Sequence, residues 1–259
     1  MTVNKHCRQN FIKSLEFLTK KEGFIRLFNK YRRKIWDLKE WHNLDERAVE
    51  FLRLLCKEGP LNRNSFVKLG AVGHYNQAKR TMDKLVELNL AVQYDLKPRL
   101  RLGLRDLSTF TITKVFGPSF LGFTFAVLLT SQNYDETLDL IKSTIKNFPN
   151  LSPFFKIELK NEEIEKLSRL IAIAVFDLLD IVPDFWKIRP ESYDRLYWNN
   201  EDLKPRRYYG ELISPPSPLL GCEIMWRKYF HAKLMSILAA YDYGLWLKFA
   251  KKFIERIDD

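Results

Sequence analysis

The segment Ala78–Asp95 reads AKRTMDKLVELNLAVQYD. Its first half has apolar residues at helical spacing, and a wheel drawn at about 100° per residue puts four of them on one side: Ala78, Met82, Leu85 and Val86. Its second half, Ala91–Tyr94, alternates as a strand does. Asn89 stands between the two, and asparagine is, after glycine, the residue best able to take the left-handed conformation that ends a helix. The segment therefore predicts a helix that stops near Asn89 and leads directly into a strand.

Two further helices are predicted before this one. The three together cover about residues 43–57, 62–69 and 75–88. Asn43 or Asp45 can cap the first helix and Asn62 the second, while Gly59-Pro60 ends the first. The order is helix, turn, helix, turn, helix, followed by a strand.

A basic hairpin is predicted after the third helix. Residues 107–112 are rich in β-branched and aromatic side chains and are the expected partner of the Ala91–Tyr94 strand. Between the two strands lies DLKPRLRLGLRD, in which Pro98 and Gly103 favour turns. Its positive charges alternate with leucines, so the arginines share one face of an extended hairpin; the basic residues are Lys97, Arg99, Arg101 and Arg105.

The text from Leu85 to Leu90 resembles the segment of winged helix-turn-helix regulators in which the recognition helix ends in "leucine, any, glutamate, leucine, glycine, leucine". Asn89 stands here where that family usually has glycine. Phe110–Lys114 similarly resembles a short motif found at the end of many winged domains, although here Val115 and Phe116 are inserted before Gly117. The resemblance covers about residues 43–114, roughly a quarter of the chain. It implies a winged helix-turn-helix domain with a small β-hairpin wing.

In such a domain the N-terminal half of the third helix enters the major groove of DNA. The resemblance implies that five residues of the third helix meet the groove: Tyr75, Asn76, Gln77, Lys79 and Arg80. It also implies that basic residues of the wing lie beside them: Lys97, Arg99, Arg101 and Arg105. Arginine pairs bidentately with guanine and asparagine with adenine, so these side chains suit base reading. The wing arginines suit phosphates or the minor groove.

Residues 10–41 have a mostly helical period with a possible break at Glu22-Gly23, which predicts two helices. Basic residues lie between the apolar positions: Lys20, Lys21, Arg26, Lys30, Arg32, Arg33 and Lys34. Two interpretations stay open. The charges form either the solvated outer face of packed helices or an arm along a phosphate backbone.

The C-terminal half also predicts helices, over residues 120–129, 134–148, 164–181 and 222–256, the last being one helix or two. Between them, residues 183–221 hold six prolines and several aromatic residues, which predicts an ordered but irregular segment. Two apolar segments could supply a two-fold dimer seam, residues 11–38 and residues 229–249. The second is favoured, because its apolar residues form a broad stripe: Tyr229, Leu234, Leu238, Tyr241, Leu245 and Phe249.

Charge is unevenly placed along the chain. Residues 1–114 hold 24 Lys and Arg against 12 Asp and Glu, a net of +12, whereas residues 115–259 hold 19 against 20, a net of −1. A positive field confined to one half suits a polyanionic partner. With 46% hydrophobic residues in 259, the chain is long and apolar enough to bury a large core.

Several function classes are disfavoured. The three cysteines are far apart and no histidine has zinc-ligand spacing, so neither a disulfide framework nor a metal is expected, as suits a reducing cytoplasm. The uncharged stretch Val115–Tyr134 has too short an apolar core to span a membrane and predicts a buried helix, and no signal peptide is expected at the start.

An enzyme is also not expected. Asp177, Asp180 and Asp184 form the one acidic group with a spacing that suits Mg²⁺, but no second acidic cluster accompanies them. Nucleotide-binding loops and hydrolase signatures are missing from the sequence.

The sequence thus predicts a mainly α protein with three parts. They are a basic helical arm over residues 1–42, a winged-helix domain over 43–116 and a helical domain over 117–259. The expected function is sequence-specific binding of double-stranded DNA by a cytoplasmic homodimer that regulates transcription, with no cofactor. The alternative is a winged-helix docking subunit of a nucleic-acid-processing assembly, in which the C-terminal half contacts a protein partner.

Overall fold

The computed structural model describes residues 5–96, 113–181 and 220–254. Helices make up most of these residues, and the sheet found among them has two antiparallel strands. The predicted mainly α fold class and its small β-hairpin are confirmed. The winged helix-turn-helix itself stays a prediction.

Each helix predicted within the described ranges is present, with its ends shifted by a few residues. In chain order the elements are α1 (Lys5–Leu18), α2 (Lys21–Trp41), α3 (Glu46–Glu58), α4 (Arg63–Lys68), α5 (Tyr75–Glu87), β1 (Ala91–Leu96), β2 (Thr113–Pro118), α6 (Phe120–Thr130), α7 (Tyr134–Asn147), α8 (Asn161–Ile181), α9 (Leu220–Tyr241) and α10 (Tyr243–Ile254). A short 3-10 helix, Pro153–Lys156, lies between α7 and α8. The predicted irregular segment over residues 183–221 lies almost wholly outside the described residues.

The break between the first two helices comes earlier than predicted. α1 ends at Leu18 and α2 begins at Lys21. Gly23 lies within the first turn of α2, where a Cβ atom would fall 2.1 Å from the carbonyl oxygen of Phe17. The break predicted at Glu22-Gly23 is therefore wrong, because this glycine serves the close approach of α1 and does not end a helix.

Helices α3, α4 and α5 form a compact group. Asp45 caps α3 and Asn62 caps α4, each accepting a hydrogen bond from a backbone N–H three residues on, at 2.8 and 2.9 Å. Phe51 of α3 and Phe66 of α4 are fully buried and stack with ring centroids 4.0 Å apart. Because α5 contacts both α3 and α4, the stacked rings stabilise the pair of helices against which α5 packs.

The strands β1 and β2 form the hairpin that follows α5, with Ala91 paired to Pro118. Asn89, just before β1, has a φ of 54°, which is the left-handed conformation expected from the sequence. The partner strand predicted over residues 107–112 lies outside the described residues. The strand that pairs with β1 in the structure is instead β2, which begins at Thr113.

A third backbone segment is joined to this hairpin. The Leu61 N–H donates to the Phe116 carbonyl oxygen at 2.9 Å, and the Phe116 N–H donates to the Leu61 carbonyl oxygen at 2.7 Å. Leu61 lies between α3 and α4. The pair therefore fixes β2 against the start of α4.

One continuous cluster of buried apolar side chains runs through the described residues, from Leu15 to Phe249. α6 is buried on nearly every side, because its sequence is almost free of polar groups. Asn147 of α7 donates to the carbonyl oxygen of Lys57 in α3 at 2.8 Å, which links the C-terminal helices to α3. The division of the chain at residues 42/43 and 116/117 stays a prediction, and the second of these boundaries falls inside β2.

The predicted C-terminal region consists of two helices that divide at Asp242. Four of the six residues expected to form a dimer seam are buried within the chain: Leu234, Leu238, Leu245 and Phe249. The prediction that this stripe forms a dimer seam is therefore wrong, because the stripe packs against this chain's own core and is not available to a second copy. The homodimer itself stays a prediction.

The uncharged stretch Val115–Tyr134 forms the end of β2 and the 11-residue helix α6. Most of its side chains are buried, as predicted for a core helix. Within the described ranges, no helix is both long and apolar enough to cross a membrane.

Candidate nucleic-acid interface

The helix α5 has a buried face and a solvent-exposed face. Its buried residues are Ala78, Thr81, Met82 and Leu85. The wheel predicts three of these and puts Val86 in place of Thr81, whereas Val86 is only partly buried. The face directed to solvent is therefore the one expected to carry the site.

The structure brings the predicted residues of α5 together at its N-terminal half. Tyr75 is 45% exposed, and Asn76, Lys79 and Arg80 are also exposed, while Gln77 is partly buried. The hairpin residues predicted to accompany them lie outside the described residues: Lys97, Arg99, Arg101 and Arg105.

Positive charge dominates this half of α5. Lys79 and Arg80 have no carboxylate partner among the residues that the structure describes. The nearest acid along the exposed face, Asp83, forms an ion pair with Arg63 at 2.6 Å. The Arg63 side chain is only 18% exposed, and its guanidinium lies over the Phe116 ring at 5.1 Å. The Asp83 carboxylate is therefore neutralised by a side chain that packs against β2.

Arg63 is the contributor that sequence reasoning missed. It precedes Asp83 by 20 residues and lies on a different helix, so no helical spacing connects them. Its guanidinium links α4, α5 and β2 through the Asp83 carboxylate and the Phe116 ring. Farther along α5, Lys84 Nζ donates to the backbone carbonyl oxygen of Asn43, which fixes that end of the helix to the loop after α2.

The acidic group considered for Mg²⁺ is occupied by internal ion pairs. Asp177 pairs with Lys233 at 2.9 Å, and Asp180 accepts from Lys34 at 2.8 Å and from Lys30 at 3.2 Å. Asp184 lies outside the described residues. The two described carboxylates therefore serve to join α8 to α9 and to α2.

Asp180 makes the most elaborate of these contacts, since Tyr31 also donates its hydroxyl to the carboxylate. Burial alone would raise the pKa of Asp180 from its ordinary value of 3.8, but hydrogen bonds from Lys34, Tyr31 and Lys30 lower it to about 2. Burial and the bond to Asp180 raise the pKa of Tyr31 to about 12. The cluster is thus most stable with Asp180 ionised and Tyr31 protonated.

Replacing Asp180 by asparagine should make unfolding less sensitive to acid. Because folding lowers the pKa of Asp180, its charged form stabilises the fold above about pH 4, and this contribution is lost as the pH falls towards about 2. The difference in the free energy of unfolding between wild type and Asp180→Asn, measured with urea, should therefore be larger at about pH 5 than at about pH 2. Asp37→Asn is the matched control, since Asp37 is an exposed carboxylate of α2 without a cationic partner in the described ranges. A pH-independent difference for Asp180→Asn would contradict the assignment.

Two further groups with reactive chemistry are enclosed. Ser152 Oγ lies 3.2 Å from His231 Nε2, but Ser152 is fully buried, and the imidazole of the partly buried His231 packs against the rings of Phe120, Phe154 and Phe230. Burial, with a smaller repulsion from Arg227, lowers the pKa of His231 to about 3.

The thiol of Cys56 is likewise fully buried, and burial raises its pKa to about 12. A thiol that is both inaccessible and protonated is inert. The Ser152 hydroxyl and the Cys56 thiol therefore belong to the core, and the exposed half of α5 is the candidate site.

No family model, curated protein or solved structure matches this chain.

Proposed function

We propose that this chain binds double-stranded DNA with sequence preference, using α5 as the reading helix, and that it regulates transcription. The observation that carries the proposal is the exposed N-terminal half of α5, where Asn76, Lys79 and Arg80 stand together on a helix whose opposite face is fixed in the core.

The dimensions and the chemistry of this helix suit the major groove. An α-helix with its side chains is about 10–12 Å wide, and the major groove is about 12 Å wide. Arg80 offers a guanidinium with the geometry for guanine, and Asn76 offers an amide with the geometry for adenine. Lys79 adds a charge for phosphate.

Local electrostatics also favour a polyanion at this position. The Arg63–Asp83 pair removes the negative charge that would otherwise stand next to Arg80 on the exposed face. The net charge of +12 over residues 1–114 adds a longer-range attraction.

The order of elements supports a winged helix-turn-helix. It runs α3, the Leu61–Phe116 bridge, α4, α5 and then the β1–β2 hairpin. In winged domains the hairpin lies beside the reading helix, and here Asn89 connects α5 to β1 directly. Lys97, Arg99, Arg101 and Arg105 are accordingly proposed as phosphate contacts of the wing.

The test is the variant Arg80→Ala. If Arg80 pairs with a base, its loss should weaken binding to a preferred duplex site by about 1–3 kcal/mol and reduce the preference for that site over random duplex. The site is first selected from a randomised duplex pool, and affinities are then measured by fluorescence anisotropy at one fixed salt concentration, because binding to phosphate depends on salt.

Lys146→Ala is the matched control, since it removes an exposed positive charge from α7. It should leave the preference unchanged. If Arg80→Ala alters neither affinity nor preference in a folded protein, α5 is not the reading helix. The exposed face would then fit a protein-docking module better, with two large exposed residues as apolar contacts, Tyr75 in α5 and Leu69 at the end of α4.

A further inference from the structure

The lysines and the arginines of α2 differ in whether they form ion pairs within the chain. The lysines within α2 are all engaged in ion pairs with acids elsewhere in the chain: Lys21 with Asp135, Lys30 and Lys34 with Asp180, and Lys39 with Glu46. The three arginines of α2 are exposed and have no carboxylate partner among the described residues: Arg26, Arg32 and Arg33. Among the described residues, the arginines are thus the basic residues of α2 whose charge no carboxylate neutralises.

The free arginines lie beside an exposed tryptophan. Arg26, Asn29, Arg33 and Trp36 follow one another at steps of three, four and three, so they form one stripe along the helix, and all four are exposed. Arg26 and Arg33 are about 10 Å apart along the helix axis. The Arg32 guanidinium lies over the Trp36 ring at 5.3 Å, which places a third arginine against the same stripe. We call these five residues the arginine–tryptophan face.

Trp36 is the part of this face that phosphate binding alone does not explain. Its side chain is 57% exposed, although burying an aromatic ring of this size is strongly favourable. Arg32 covers part of one side of the ring and leaves most of the indole accessible. An exposed indole next to arginines suits a partner that has both phosphates and flat aromatic groups.

We propose that the arginine–tryptophan face of α2 binds a single strand of nucleic acid. The arginines pair with successive phosphates, and an unpaired base stacks on Trp36. Grooves that bind single strands combine these two elements, positive charge along the backbone and aromatic side chains under the bases. A duplex would satisfy the arginines but keeps its bases paired and stacked on each other, so it has nothing to place on the indole.

Two features of α2 bear on competing partners. A helix that binds a membrane surface uses a broad apolar face, and the broad apolar face of α2 is already buried in the core through Phe24, Leu27, Tyr31, Ile35 and Leu38. The exposed carboxylates of α2 lie towards its two ends, at Glu22, Asp37 and Glu40, so the positive charge is concentrated in the turns between Arg26 and Arg33. A short strand segment over those turns is the occupant that fits.

The experiment uses the full chain and a fluorescein-labelled oligo(dT), followed by anisotropy. Trp36→Ala should lower the affinity by at least about fivefold, because base stacking on the indole is lost. Arg33→Ala should lower the affinity and also reduce the slope of log K against log salt by roughly 0.7, the value for one phosphate contact on a single strand. Both residues are exposed, so neither change should unfold the protein.

Two matched controls separate this face from exposed aromatics and charges in general. Tyr243→Ala removes a ring that is 61% exposed on α10, and Lys21→Ala removes a positive charge from α2 that is engaged with Asp135. Both variants should bind oligo(dT) as the wild type does.

The outcomes also distinguish this site from the duplex site on α5. Arg80→Ala should leave oligo(dT) affinity unchanged, and Trp36→Ala should leave the preference among duplexes unchanged. The inference is overturned if oligo(dT) does not bind, or if Trp36→Ala and Arg33→Ala bind it like the controls. It is equally overturned if vesicles containing anionic lipid bind in a Trp36-dependent manner while oligo(dT) does not.

Discussion

Phe66→Ala should lower the free energy of unfolding by about 3–5 kcal/mol, the range for removing a fully buried phenylalanine from a packed core. Phe66 has no exposed surface and its ring stacks on Phe51 with an interplanar angle of 9°. It is also the one buried residue of α4, a helix of six residues. A helix this short has little stability of its own, so its position depends on the side chain that anchors it.

The expected loss should be read from urea unfolding followed by circular dichroism, with Phe11→Ala as the control. Phe11 is a phenylalanine of α1 that is 44% exposed, and its removal should change stability by no more than about 0.5 kcal/mol. A loss below about 1 kcal/mol for Phe66→Ala would mean that the stacked rings do not anchor α4.

The same variant bears on the proposed DNA site. α5 contacts α4, and Arg63 at the start of α4 reaches Asp83 of α5. If α4 is less firmly anchored, it supports α5 less well, and Arg63 is less well placed to neutralise Asp83. Under conditions in which Phe66→Ala remains folded, its duplex affinity should fall although Phe66 is buried and cannot touch DNA.

The elements that sequence could predict are those whose causes are local. The spacing of apolar residues, the caps at Asp45 and Asn62 and the left-handed Asn89 each act within a few residues of the chain. The exposed residues of α5 follow from the same rule, since a helical wheel needs only the period.

The features that sequence could not predict depend on residues far apart in the chain. Gly23 marks the contact with Phe17, and its meaning is visible only once α1 lies against α2. The stripe that includes Leu238 and Leu245 is a true amphipathic face, but the period of a stripe does not tell whether this chain or a second copy covers it. The division of α2 into paired lysines and unpaired arginines is likewise set by acids on other elements, such as Asp180 on α8.

Another contact between residues far apart in the chain joins the start of α6 to the segment that follows α5. The Ser119 hydroxyl donates to the Asn89 carbonyl oxygen at 2.5 Å and accepts from the Gly122 N–H at 2.8 Å, while the Ser119 N–H donates to the Leu90 carbonyl oxygen at 3.1 Å. A Cβ atom on Gly122 would lie 1.7 Å from that Leu90 oxygen. The first turn of α6 thus packs directly on the backbone that connects α5 to β1.

Gly122→Ala should therefore destabilise the protein, against the preference of the helix itself. Within a helix, alanine is favoured over glycine by about 1 kcal/mol, so helix propensity alone predicts a gain in stability. Overpacking a core typically costs about 1–3 kcal/mol, and the obstacle here is a backbone carbonyl that cannot rotate away as a side chain does. The clash should win, with a net loss of about 1 kcal/mol or more in the free energy of unfolding.

Gly73→Ala is the control for this measurement, because a Cβ atom on Gly73 would meet nothing within 4 Å. It should change the free energy of unfolding by no more than about 0.5 kcal/mol in the same urea titration. A gain in stability for Gly122→Ala would show that α6 can move away from Leu90 at little cost. Since that contact fixes the point where α5 passes into β1, the same result would also mean that α6 does not hold the proposed reading helix in place.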